Sequence, residues 1–163
     1  MNIKTITDQD LDDLIKCHKR ATKNARDIPD KRHIKKDFSL VASKYPEYKF
    51  TLYIRHSLEM EDDYTVGLRV SLPKEKNPLT LVRFNGSSHG HKNVLEDESF
   101  PFNEHIHKAT ERYIKAKLKA EGYALVTDQY TTVEGALLHA CEICNITGIL
   151  ANTISAANQD LFN

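Results

Sequence analysis

Phe50-Thr-Leu-Tyr-Ile-Arg55, Tyr64-Thr-Val-Gly-Leu-Arg-Val-Ser-Leu72 and Leu79-Thr-Leu-Val-Arg-Phe84 decide the fold class. In the first two runs apolar side chains (Phe50, Leu52, Ile54, then Tyr64, Val66, Leu68, Val70, Leu72) take every second place. Alternate residues of an extended chain point to opposite faces, so this period builds strands with one buried face. Short polar connections, Glu59 to Asp63 and Pro73 to Pro78, join the runs. The segment 48–85 therefore reads as an antiparallel β-meander. Its other face carries Thr51, Tyr53, Arg55, Thr65, Arg69 and Ser71.

Outward from the meander the period lengthens. Thr7-Asp8-Gln9-Asp10 opens a helix with a hydroxyl N-cap and an acid three residues on, a capping box. Leu11, Leu14, Ile15 and His18 follow at helical spacing, and the helix is expected to end between Asn24 and Pro29. A short helix is expected from Asp37 to Lys44, stopped before Pro46, so residues 1–46 read as a basic helical segment. Residues 86–104 read as a long loop, of a length that is usually functional or disordered in a compact domain. His105 to His107 then reads as a short strand, Lys108 to Ala120 as a helix closed by Gly122, and Tyr123 to Val126 as an edge strand. A second capping box, Thr131 to Glu134, opens a helix with Val133, Leu137, Ala140, Cys141 and Cys144 on one face. Residues 147–163 read as a short helix and a frayed tail. The sum is one α+β domain over 1–163, an antiparallel sheet of three to five strands with helices packed mainly on one face. Within it 86–107 is a His-rich loop and strand, and 108–163 the C-terminal helical part.

Composition agrees with a globular chain: of 163 residues, 40% are apolar and 28% charged, close to the soluble average. No apolar run approaches the roughly 18 residues of a membrane span, and the first ten residues lack a secretory pattern. Three cysteines, Cys17, Cys141 and Cys144, are too few and odd for a disulfide framework, so a reducing, cytoplasmic setting is expected. Cys141 and Cys144 have CxxC spacing, but on a helix's apolar stripe they read as core residues. The formal net charge of zero hides an asymmetry. Between Lys16 and Lys36 nine Lys or Arg stand against two Asp, whereas after Lys119 there are five acids and no Lys or Arg. The basic stretch is either a solvated face, a partner for the acidic half within or between copies, or a phosphate-contacting surface.

The chemistry is concentrated in Arg83-Phe-Asn-Gly-Ser-Ser-His89-Gly-His91-Lys-Asn93 and Asn103-Glu-His105-Ile-His107-Lys-Ala-Thr-Glu-Arg112-Tyr113. Four of the eight histidines fall within 19 residues as two His-x-His pairs, and in an extended segment each pair shares a face. The intervening loop can fold back to bring His89 and His91 beside His105 and His107. Three chemistries want this arrangement. The four imidazoles could ligate a divalent transition metal. They could act as acid and base on a phosphodiester, with Arg83, Lys108 or Arg112 stabilising the anion. They could bind an anion or base without turnover. Arg55, Arg69 and Arg83 fall one on each strand and would form a phosphate-binding row if the registers agree; the plainer expectation is pairing with loop carboxylates.

Arg83-Phe-Asn-Gly-x-x-His-x-His-x-Asn followed by His-Ile-His-Lys-Ala-Thr-Glu-Arg-Tyr resembles the signature of a family of small, uncharacterised bacterial and phage-borne proteins, over roughly 48–145. The order of strand, Arg-aromatic-Asn, histidine loop, Phe100-Pro101 and histidine pair is also similar to small toxins of the TumE type. The resemblances imply a mobile-element or defence-related setting and bring no catalytic assignment. The expected function is binding or cleavage of an RNA or nucleotide phosphate by the histidine cluster, in the manner of a ribonuclease or phosphodiesterase. The alternatives are a non-enzymatic interaction protein, such as a phage inhibitor or toxin partner, and a metal-binding regulatory module.

Overall fold

The computed structural model describes residues 1–149; the tail beyond, including most of the expected C-terminal helix and frayed end, lies outside the described residues. Helix α1 (Asp8–Lys16) leads into strands β1 (Lys19–Ala21), β2 (Arg26–Asp27) and β3 (His33–Val41). Strands β4 (Lys49–Ser57), β5 (Tyr64–Ser71) and β6 (Leu79–Asn85) follow, then β7 (His91–Asn93) and β8 (Glu98–Phe100). The order closes with β9 (His105–Lys108), α2 (Glu111–Lys115), β10 (Tyr123–Val126), α3 (Val133–Ile143) and β11 (Ile146–Thr147).

Nine strands make one sheet in the order β10-β9-β6-β5-β4-β3-β1-β11, with β2 on β3, while β7 and β8 pair only with each other. The meander is antiparallel, as its alternation requires. The sheet is nevertheless larger than three to five strands, and it is mixed, because β11 runs parallel to β1. The inward residues Phe38, Leu40, Phe50, Leu52, Ile54, Val66, Leu68, Val70 and Phe84 are buried. They pack with Leu11, Leu14 and Ile15 of α1 and Val133, Ala136, Leu137 and Ala140 of α3 in one core. Both longer helices therefore lie on one face of the sheet. Thr51, Tyr53, Arg55, Thr65, Arg69 and Ser71 stand on the other.

Several segments depart from the sequence expectation for identifiable reasons. The expected helix at Asp37–Lys44 is part of β3. Lys36, Phe38 and Leu40 alternate inward there, but a lysine in an inward position hides the pattern. Lys36 is tolerated because its ammonium reaches Asp27 at 2.9 Å, the usual escape of a long basic side chain. Helix α1 has the expected capping box but stops at Cys17, whose ψ of 144° is extended. Two residues later the fully buried Lys19 donates to Ile15 O (2.7 Å), Cys17 O (2.8 Å) and Cys144 O (3.1 Å). One ammonium thus satisfies carbonyls at the C-terminal ends of both α1 and α3, where orphan acceptors and the helix dipole favour a cation. Residues 1–46 hold more strand than helix, the strands β1, β2 and β3 against the single helix α1, and are not a helical segment.

Downstream, the helix expected over Lys108–Ala120 is confined to α2, because Thr110 is its N-cap and Lys117 adopts a left-handed φ of 57°. Helix α3 is capped by Thr132, so its third residue is Gly135 and the reciprocal acidic bond expected from Glu134 is not made. Residues 86–104 are not a plain loop, since they contain the β7–β8 hairpin. The edge strand β10 is as expected. Among the described residues no helix is long and apolar enough to cross a membrane.

Candidate functional site

Strand β9 lies between β6 and β10, with His107 opposite Arg83 and His105 opposite Asn85. Being two residues apart on a strand, His105 and His107 point to the same face, the one away from α1 and α3. The β7–β8 hairpin folds over that end of the face. Its Asn93 side chain takes both outward backbone groups of Ala124, accepting from the N–H and donating to the carbonyl at 2.8 Å each. This pairing also blunts the open edge of β10, a liability for edge-to-edge association. Tyr113 Oη donates to Glu96 in the β7–β8 turn at 2.7 Å, and Arg112 holds the same carboxylate. His91 Nε2 donates to Gly122 O at 3.0 Å.

The two histidine pairs therefore converge. His91 lies 4.6 Å from His107 and 5.8 Å from His105 between ring centroids. His105 is 5.0 Å from His107, and His89 is 5.2 Å from His105. Phe100 covers the group, 5.3 Å from His105 and 5.4 Å from His91. Exposure grades outward: His105 and His107 are buried, His91 is half-buried and His89 exposed.

Hydrogen bonds assign the inner tautomers. His105 Nδ1 faces Asn103 O at 2.7 Å, and His107 Nδ1 faces Glu121 O at 2.9 Å. A carbonyl only accepts, so both Nδ1 atoms carry the proton and a neutral ring leaves Nε2 as a lone pair. Burial, reinforced by the neighbouring imidazoles and Arg83, pushes His105 down to about 4, and burial with Arg83 pushes His107 lower still. Both rings are neutral near pH 7. The only contact of either Nε2 is a marginal one, 3.5 Å from Asn85 Nδ2 to His105.

Around these acceptors two buried polar atoms lack hydrogen bonds, Arg83 Nε and Asn85 Oδ1. Arg83 forms an ion pair with Glu121, but at 3.6 Å it is too long for a hydrogen bond. Such orphans cost about 1–3 kcal/mol each unless something polar reaches them. The site is thus a half-satisfied set of a cation, an amide oxygen and two imidazole lone pairs.

The remaining expected residues lie elsewhere. Lys108 turns to the helix side and pairs with Asp12 of α1 at 2.5 Å. Arg112 is engaged with Glu96 and stacks 4.5 Å over Tyr123, so it anchors the hairpin rather than facing the imidazoles. Arg55 pairs with Asp63 (3.1 Å) and Arg69 with Asp37 (2.8 Å). Arg55, Arg69 and Arg83 do share a face, but their partners in register are Thr65, Thr51 and Gly67, so they step diagonally rather than forming a row. Four of the nine basic residues of the stretch pair locally, Lys16 with Asp12, Arg26 with Asp37, Lys35 with Asp30 and Lys36 with Asp27, and among the described residues none pairs with a carboxylate of the acidic half. Cys144 is buried and Cys141 half-buried, with burial raising the thiols to about 12 and 11, as suits packing residues.

The four histidines do not fit a metal. Among the described residues no group of three or more His, Cys, Asp or Glu is disposed to hold an ion. His91 commits Nε2 to a backbone carbonyl, and three ring pairs in the cluster pack edge to face. Residues the sequence reading passed over also shape the site. Asn85 and Asn93 were visible in the motif but not separable from loop polarity. Tyr130 Oη, 3.1 Å from both Asn85 O and His105 O, carried no sequence signal at all.

No curated protein and no solved structure matches the chain. A family model matches residues 6–146, well beyond the motif-bearing stretch toward the N-terminus. The chain belongs to this family, described as a family of unknown function (DUF6978).

Proposed function

We propose that Arg83, within the histidine cluster, binds the phosphate group of an RNA or nucleotide and that His107 Nε2 takes up a proton from the adjoining ribose 2′-hydroxyl. The observation that carries this reading is the pair of lone-pair Nε2 atoms on His105 and His107, fixed by backbone carbonyls beside an Arg83 whose Nε has no hydrogen-bond partner. Arg83 supplies the cation for a phosphate oxygen. A neutral, oriented imidazole is the usual general base for a ribose 2′-hydroxyl, and the negative charge of the bound phosphate offsets the burial and the Arg83 charge that hold the free His107 against protonation. In a cleavage step the 2′ proton moves to His107 Nε2, the 2′ oxygen bonds to phosphorus and the P–O5′ bond breaks. The leaving oxygen takes a proton from His89, because burial keeps the inner pair neutral and His91 commits Nε2 to Gly122 O. A small RNA-cleaving protein suits the mobile-element or defence setting implied by the motif.

A second reading is favoured by one observation, the closure of the hairpin over His105 and His107: a binder of nucleotide or of a protein partner without turnover. Purified protein incubated with single-stranded RNA, with binding followed in parallel by fluorescence anisotropy, separates these. The proposal expects binding and cleavage products ending in a 2′,3′-cyclic phosphate, with cleavage lost in a folded His107→Ala variant. Binding without products supports the second reading, and unchanged cleavage by His107→Ala removes His107 from the mechanism.

A further inference from the structure

The sheet face that holds the histidines continues away from them, and among the described residues neither α1 nor α3 covers it. One cross-strand row on it reads Asp37, Tyr53, Gly67, Arg83, His107. At its centre the Tyr53 ring occupies the place of the missing side chain of Gly67. A Cβ on that glycine would lie 2.2 Å from the ring's Cζ and 2.6 Å from Cε1, so the ring lies down on the sheet. Arg69, held by Asp37 at 2.8 Å, has its guanidinium 5.3 Å from the ring centroid. Arg83 stands on the neighbouring strand on the other side. Lys35 and Arg55 stand on the same face, paired with Asp30 and Asp63.

We infer that this open face is a track for single-stranded RNA, on which Tyr53 stacks against an unpaired base while Arg69 and Arg83 take the flanking phosphates. The inference rests on the histidine-site reading and gives it a substrate class: an unpaired strand rather than a duplex or a free anion. The geometry matches in three ways. The half-exposed Tyr53 ring lies over Gly67 with the Arg69 guanidinium 5.3 Å over its centroid, so a base stacks there by joining or displacing that cation, and stacking tolerates any base. The guanidiniums supply the charge complementarity to a phosphate backbone. Strands lie about 4.8 Å apart, so two steps from Gly67 through Arg83 to His107 cover about 10 Å. The base platform and the reacting phosphate then fall on adjacent parts of one strand.

The test uses the full chain and a fluorescein-labelled single-stranded oligoadenylate, read by anisotropy at fixed salt. Wild-type protein binds it; Tyr53→Ala weakens binding by about ten-fold or more, whereas Tyr53→Phe binds like wild type. An abasic version of the same oligonucleotide, which needs no variant, binds wild type as weakly as oligoadenylate binds Tyr53→Ala. Tyr53→Leu, which keeps an apolar cover over Gly67, guards against misfolding and is expected to weaken binding as well. If the abasic strand binds wild type as tightly as the intact one, or Tyr53→Ala binds undiminished, the stacking track is overturned and the histidine reading stands. If wild type does not bind the strand at all, both fall together.

Discussion

Acidification should loosen this protein through His105, and the size of the effect follows from its surroundings. His105 has no exposed surface and its ring is held as the neutral tautomer, with burial the main cause of a value pushed down to about 4. An unfolded histidine titrates near 6.5. Because the folded value is depressed, nothing is lost above pH 6.5, where both states are neutral. Below it the unfolded chain takes a proton that the folded chain refuses, so stability falls from about pH 6.5 down to about pH 4. Between pH 7.5 and pH 5.0 this linkage costs about 2 kcal/mol for His105 alone. The lower value of His107 acts in the same direction over the same window. Urea unfolding at the two pH values, on wild type and on His105→Asn, isolates the term from the other histidines. The variant should lose about 2 kcal/mol less than wild type on acidification. Equal losses would show that His105 is free to protonate in the folded state, and the neutral, carbonyl-held tautomer would be wrong.

Two further outcomes probe the frame of the site. Lys19→Met removes the shared donor from three carbonyls at the ends of α1 and α3 and should lower stability by about 2–4 kcal/mol, read as a shift of the urea midpoint; a loss below about 0.5 kcal/mol would mean that water serves those carbonyls equally well. Asn93→Ala breaks both bonds to Ala124 and should cost about 1–3 kcal/mol locally, seen as faster hydrogen exchange of the Ala124 amide while β4 and β5 stay protected.

How far the fold could be read in advance depended on which side chains occupied the inward positions. In β4 and β5 the inward positions are apolar apart from His56 near the end of β4, so period and register were plain. In β3 the inward Lys36 breaks the pattern, and its compensation by Asp27 is a tertiary fact. Strands β1, β2 and β11 are two or three residues long, too short to carry any period, so the size and mixed character of the sheet were hidden. The site was more legible than the sheet. The two His-x-His pairs announced a shared face and a fold-back, and the hairpin brings them together. Direction was not legible: Lys108 is one residue from His107, and on a strand that single step sends it to the opposite face, to Asp12. Nor was the dual use of His91, which holds the edge of β10 as well as lining the cluster.

The central claim is that Arg83 holds the ligand's phosphate while the bare Nε2 of His107, beside that of His105, accepts from the adjoining ribose hydroxyl. The most direct measurement is a long-range proton–nitrogen NMR spectrum of the histidine rings at pH 7 during titration with a nucleoside 3′-monophosphate. The account predicts that both rings of the free protein are neutral with Nδ1 protonated, and that their Nε2 resonances move as ligand saturates while those of His18, between α1 and β1, do not. Ring signals of His105 and His107 that stay fixed at saturation, or an Nε2 already protonated in the free protein, would contradict it.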